Sequence, residues 1–581
     1  MSTNSTSDAV FSTTSNQKTF MQRVWKKIKT VLWILAGLWL LLAIRSMYHQ
    51  PVLFVWKYKT FVAIAVLLLL FVVRLWNRRT TTDFPWGRIV VSLLVIGFIA
   101  SWFTKPMQVV YHELYMSNLY ESLDKEEITQ LPLTKNERVH ARLSIQSYAY
   151  AKTNNNLPVS TPHLIKDKFA DQHDNIWSMA NLTVEKNMWQ IDDDIKEVYL
   201  LPSHMANPIL PDHRKPVVFN TGESMRFDKN AFVNAIKAMG LNYFTTEPDD
   251  VYYMHDDQGK MVQVVSLVTW TGWLFPIPKF GGVIVVPSGD ISAGEVITRN
   301  LTGYGTYISP ENCAKYKYLD GQNLFSEKIT RLYAESFSYR KGIYEAKFTT
   351  KDAIEIPDIA EVSNEYPFVS DYDWSHTNVK TPNGLYHYVP LEPSGGVNTS
   401  LSLSLFMRSD GKGKMYYYDH TKAKDGLSGV TSILGIAKKQ YPTYSWDHFH
   451  IADVRTYFPD IAELKDPKKV TKNYFYITSI VALNKATKQV DAGTLSDIVA
   501  VNLRDNTAVK LDAAHPEKWT DQIRESYNFP LSEAAKKQAI LSQKVDTIHE
   551  RVVVIRDTVP ASTAPKKVVD TVLAVKTKSK K

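Results

Sequence analysis

Three apolar runs crowd into the first 105 residues, and each is closed at both ends by a cation. They are Thr30 to Ile44 between Lys29 and Arg45, Thr60 to Val73 between Lys59 and Arg74, and Ile89 to Phe103 between Arg88 and Lys105. As helices, their bounding charges lie roughly 22–26 Å apart at a rise of about 1.5 Å per residue. A hydrocarbon core is about 30 Å thick, and long Lys and Arg stems close the difference by snorkelling. Trp25, Trp56, Trp76, Trp86 and Trp102 fall near the run ends, as rings at headgroup level do. The expected spans are about 30–47, 56–76 and 88–104. A soluble core helix rarely carries charges at both ends and apolar residues all round, so burial in a globular core fits less well. No small-x-small cleavage site follows the first run, which argues for a retained anchor over a cleaved signal peptide.

Charge divides the chain at the same point. Residues 1–104 hold 12 Lys and Arg against 2 Asp and Glu, while the rest hold 56 against 57. The net charge of +9 therefore belongs to the apolar segment and its flanks. This excludes a nucleic-acid surface as the reason for the basic balance. Basic residues gather before the first run (Lys18, Arg23, Lys26, Lys27, Lys29) and between the second and third (Arg74, Arg78, Arg79, Arg88). The positive-inside rule then places the N-terminus in the cytoplasm and residues 105–581 outside.

The large remainder reads as α+β: a three-helix transmembrane module plus an ectodomain of antiparallel-sheet modules with packed helices. The expected divisions are a basic cytoplasmic tail (1–28), the helices (29–104) and a mainly helical connector (105–195). An α/β module (196–345), α/β modules with repeated hairpins (346–530) and a helix with a flexible basic tail (531–581) follow. In the connector, LYMSNLYESLDKEEI reads as one amphipathic helix, and RVHARLSIQSYAYAK as a helix or a long strand. Three strand–turn–strand units follow. Met261–Trp270 precedes Gly282–Val286 and a PSGDISAGE turn, Leu401–Met407 pairs with Lys414–Tyr418, and Tyr474–Leu483 pairs with Asp497–Leu503 and then Ala508–Leu511. Helices are expected at Lys229–Met239, ending at Gly240, within Gly321–Tyr339, at Leu427–Gln440 and at Glu533–Gln543. The tail repeats an Asp-Thr-Val or Asp-Thr-Ile unit interrupted by Pro560 and Pro565, as a spacer does.

The units GWLFPIPKFGGVIVV and YFYITSIVALNKATKQVDAGTLSDIVAVNL resemble those of a loosely described group of bacterial proteins. That group carries several N-terminal membrane helices and a large ectodomain with PepSY-like α/β modules. The likeness covers about residues 240–515 and implies an architecture, with little chemistry. The tail resembles spacer segments of bacterial and phage envelope proteins.

Chemistry is sparse. No Walker A loop, GxSxG elbow, HExxH or CxxC pair occurs. Cys313 is alone, so no internal disulfide can form, and a buried apolar filler is its expected role. Asp447, His448 and His450 form the best constellation for a divalent metal. On a strand, His448 and His450 project from one face, as two ligands must. Asp419 with His420, and Asp373 with His376, add ligands if the modules meet. No other cofactor is indicated. The pairs Asp249-Asp250 and Asp256-Asp257 and the run Asp192–Asp194 sit among turn-formers and read as solvated turns. Sequons begin at Asn181, Asn300 and Asn398 and bear only on a eukaryotic secretory route.

Together these readings point to a membrane-embedded envelope protein whose ectodomain binds a protein partner or self-associates as part of an assembly. Two alternatives stand beside it. One is an envelope enzyme or protease regulator with its site near Asp447–His450. The other is a subunit of a channel or secretion complex. Lipid is an expected partner and nucleic acid is not.

Overall fold

The computed structural model describes residues 7–527 except 78–84, 102–104, 136, 153–157, 172–174, 183–193, 209, 349–352, 359–365, 395–399, 460–473 and 484–489. Five helices open the chain: α1 (Ser7–Ala43), α2 (Arg45–Lys57), α3 (Lys59–Asn77), α4 (Pro85–Ser101) and α5 (Lys105–Ser122). The expected helix at Glu533–Gln543 lies outside the described residues.

The helices differ from the expected spans. Among the described residues, no single helix is long and apolar enough to cross a membrane. Val24–Ala43 and α2 pass on length and composition only as a pair, bent by 81°. Three unbroken spans are therefore not what the described helices provide. At the first run the reason is local. Arg45-Ser-Met-Tyr-His-Gln-Pro is too polar to continue α1, yet helical enough to form a separate short helix. That helix turns its buried face, Arg45, His49 and Leu53, onto the folded domain.

After α5 the chain leaves two short strands, β1 (Lys125–Glu127) and β2 (Leu133–Lys135), before α6 (Arg142–Lys152). LYMSNLYESLDKEEI is thus not one helix. α5 stops at Ser122, and Lys125–Glu127 runs parallel to a strand nearly 300 residues away. Four strands then form a meander: β3 (His163–Lys166), β4 (Asn175–Ala180), β5 (Ile195–Pro202) and β6 (Arg214–Phe219). The 105–195 connector accordingly carries strands as well as helices.

α7 (Ala231–Ala238) begins where the Asn230 side chain accepts from the Phe232 and Val233 amides. It ends before Gly240, whose φ of +60° suits glycine. A second four-stranded sheet follows in the order β10-β9-β8-β7. It comprises β7 (Thr246–His255), β8 (Met261–Thr271), β9 (Ile277–Pro287) and, after α8 (Ala293–Thr302), β10 (Thr306–Ile308). The PSGDISAGE segment is not merely a turn. Ser292 and Glu295 form a reciprocal capping box that starts α8.

Three helices, α9 (Pro310–Cys313), α10 (Glu327–Ser336) and α11 (Ile343–Phe348), lead into the largest sheet. Its later strands are β11 (Ile354–Glu355), β12 (Phe368–Asp373), β13 (Gly384–Pro393), β14 (Leu403–Arg408) and β15 (Met415–Asp419). The order is β1-β15-β14-β13-β12-β2, with β11 beside β13. The last region holds α12 (His420–Ala423), α13 (Val430–Gln440), β16 (Phe449–Tyr457), β17 (Phe475–Leu483), β18 (Val490–Asn502), β19 (Ala508–Leu511) and α14 (Trp519–Ser526). Its four strands form a simple antiparallel meander. The three expected hairpins thus all pair: β8 with β9, β14 with β15, and β17 with β18 and then β19.

The four sheets share an interior. One continuous apolar core runs from Met116 on α5 through Tyr252 and Phe406 to Tyr476. β13 is buried from Gly384 to Glu392, as a strand covered on both faces must be.

Candidate functional site

The sequence candidates separate in space or take structural partners. Asp447 and His448 lie exposed in a turn, where the His448 amide donates to Ser445 O at 2.8 Å. Only His450, half-buried, belongs to β16. The alternation that aligned the two imidazoles therefore does not apply, because the strand begins one residue too late. His376 donates Nε2–H to Leu131 O at 2.9 Å, and the Asp419 carboxylate caps α12. Among the described residues, no group of three or more His, Cys, Asp or Glu side chains converges on a point where a cation could sit. Asp256 and Asp257 behave as the expected turn residues, accepting amides of Gln258 and Lys260, and of Lys317 and Tyr318. Of the sequons, Asn181 is buried against Glu197 and Tyr199.

His420 has partners that sequence spacing did not suggest. Its Nδ1 lies 2.7 Å from Asp425 Oδ2 and its Nε2 lies 2.9 Å from Ser404 Oγ. These are the distances of a nucleophile, base and orienting carboxylate. The chain continues from Ser404 Oγ to Tyr388 OH at 3.3 Å and on to Tyr476 OH at 3.0 Å. Ser404 is completely buried near the start of β14, and His420 is 2 % exposed. The constellation is a buried polar relay joining the largest sheet to β17, with Asp425 Oδ1 left without a hydrogen-bond partner among the described residues.

An opening lies where α6, β4, β12 and β16 meet. It is a cavity of about 240 Å³ bordered by Arg138, Arg142, Trp177, Asn323, Val369 and Asp453. Arg138 grips Asp453 with two nitrogens, at 3.2 and 2.6 Å, and donates to Val369 O. Arg455 reaches the same carboxylate at 2.6 Å and Glu137 at 2.6 Å. Two arginines and two carboxylates thus neutralise one another inside the molecule. Asp453 occupies a left-handed conformation, φ +58°, at the bulge between Ala452 and Arg455. The bulge aims its carboxylate at both guanidinium groups.

Arg142, on the cavity's rim, pairs with Glu327 at 2.7 Å. Burial resists ionisation of Glu327, but Arg142 prevails and holds its carboxyl below the usual range. Burial pushes His387 down to about 4, so it stands neutral between Thr330 and Asn323. Trp177 Nε1 and Asn323 Nδ2 are buried without a partner among the described residues. A small group bearing hydrogen-bond acceptors would satisfy them.

A wider cleft of about 480 Å³ separates β7 from α10 and includes Asp249, Trp270, Lys328 and Arg331. Asp249 and Asp250 belong to the bulge of β7, half-buried, and not to a solvated turn. Burial, and for Asp249 the neighbouring Asp250 charge, raise both carboxyls. Glu223 rises to about 8, through burial first and then Asp250. Sequence carried a faint signal for the arginine network: Asp453 and Arg455, two charges sharing one face of an otherwise apolar strand. Nothing in spacing could have joined Ser404 to His420 and Asp425.

Comparison with protein families, characterised proteins and solved structures finds no match to this chain.

Proposed function

We propose that this chain is an integral membrane protein of a cell or viral envelope, with α1, α3 and α4 in the bilayer. The domain beyond Lys105 serves as a binding or scaffold component of an envelope assembly. The observation that supports this most is the exposure of apolar side chains around these helices. Trp33 is 69 %, Leu67 66 % and Leu94 67 % exposed. Water-soluble monomers rarely leave contiguous apolar surfaces of this kind uncovered. Orientation follows from charge and from α2. Because α2 lies against the folded domain, the α1–α3 connection and residues 105 onward share a side, leaving the basic flanks on the other. Among group-level readings, we favour envelope proteins with PepSY-like modules, supported by the helix-on-antiparallel-sheet units described above.

Fractionation tests this. The full chain should stay with membranes through alkaline carbonate and leave them only with detergent. Protease added outside the cell should digest residues beyond 105 and spare the basic tail. Recovery in the soluble fraction would sink the reading, and protection of the domain would reverse its orientation.

One observation favours a second reading, an envelope hydrolase: the Ser404–His420–Asp425 spacing. A fluorophosphonate probe decides it, since an activated serine hydroxyl displaces fluoride and keeps the phosphonyl group. Labelling that disappears in Ser404→Ala would establish the hydrolase. An unlabelled native chain, the outcome expected from the sealed site, would leave the scaffold.

A further inference from the structure

The junction between helices and domain carries a second apolar surface, separate from the long helices. The β8–β9 hairpin ends in Gly272-Trp273-Leu274-Phe275, with Trp273 76 % and Leu274 46 % exposed. Hairpin tips of soluble domains are normally polar. This one is fixed against the start of α3. Thr60 Oγ1 donates to Trp273 O at 2.6 Å, and Lys59 Nζ to Gly272 O at 2.5 Å. Phe275 packs on Tyr111 of α5, ring centroids 5.5 Å apart, and Tyr111 meets Phe61 of α3 at 5.5 Å. Trp273 therefore sits at the height of the first turn of α3. α2 lies at the same level and leaves Met47 82 % and Phe54 58 % exposed on the side away from the domain.

We propose that the hairpin tip and α2 form a collar that sinks into the phospholipid interface, seating the domain flat on the membrane that anchors it. The inference rests on the membrane reading above and adds a second, peripheral mode of contact to it. Continuity carries the argument: if the first turn of α3 marks the headgroup layer, Trp273 and Leu274 have nowhere else to be. Aromatic side chains with a polar end prefer that layer. The nearby cations are already engaged. Lys57 pairs with Glu247 at 2.9 Å and lies over the Trp270 ring at 3.8 Å. Attraction therefore comes from apolar burial, and anionic headgroups are not required.

Depth measurement on the full chain in phosphatidylcholine nanodiscs tests the collar. The native thiol does not interfere, because Cys313 is 1 % exposed and burial pushes its pKa up to about 11. Nitroxides are placed one at a time at Trp273→Cys, at Leu274→Cys as an independent second site, at Leu67→Cys on α3 and at Met205→Cys in the loop after β5. The collar predicts a several-fold higher ratio of oxygen to nickel-chelate collisions at 273 and 274 than at 205, unchanged by anionic lipid. Lipid exposure at 67 with water exposure at 273 and 274 would overturn the collar and leave the anchor standing. Shielding of 273 from both reagents would mean a second protein copy covers it, and would also overturn the proposal. Water exposure at 67 would remove the anchor and the collar together.

Discussion

At residue scale, the buried charges are the sharpest points of commitment. Asp453 is held by two guanidinium groups, so Arg138→Met should leave it under-compensated and cost about 3–5 kcal/mol. Thermal melting in detergent would show this, and pairing the change with Asp453→Asn, which removes the charge and tolerates the left-handed backbone, should recover part of the loss. Glu223 supplies a pH signature. Its folded pKa of about 8 exceeds its ordinary 4.5, so the folded state holds the extra proton between those values. Stability should therefore fall as pH rises from about 4.5 to about 8, and Glu223→Gln should flatten that slope. The residues behind these predictions were poorly legible in the sequence. Asp447, His448 and His450 stood out because they are adjacent, yet adjacency placed two of them in an exposed turn. Arg138 and Asp453 are 315 positions apart, and only folding makes them neighbours.

At the scale of elements, local signals did much better. The hairpins of β8–β9, β14–β15 and β17–β18 were readable because alternation and turn residues act over a few positions. The N-terminus of α8 was readable in principle, from Ser292 and Glu295, but the glycines around it masked the box. α2 was the hard case. Its helicity is weak and its stabilisation is tertiary: His49 Nε2–H to Thr246 O at 2.9 Å, and Trp56 Nε1–H to Trp270 O at 2.9 Å. Packing between α7 and α8 depends on a close approach at Gly303, which has φ +71° and lies beneath the α7 backbone. A Cβ there would meet Ala238 N at 2.5 Å and Asn234 O at 2.7 Å. Gly303→Ala should therefore destabilise by roughly 1–3 kcal/mol, read as a lower denaturant midpoint with unchanged slope.

For the whole molecule, the helices and the domain are one structure, not an anchor tied to an independent globule. A truncation beginning at Lys105 uncovers the surface that Leu53, His49 and Trp56 occupy. It should elute as aggregates in size-exclusion chromatography and melt below the full chain in detergent. The parallel seam of β1 with β15, together with the Arg138–Asp453 clasp, also sets a timetable for synthesis. The segment made first pairs with strands and a carboxylate made far later. At a translation rate of about 5–20 residues per second, Arg138 waits roughly 15–60 s before Asp453 exists. For most of that interval β1 and β2 stand with open edges, which is when a chaperone has its best opportunity to hold them.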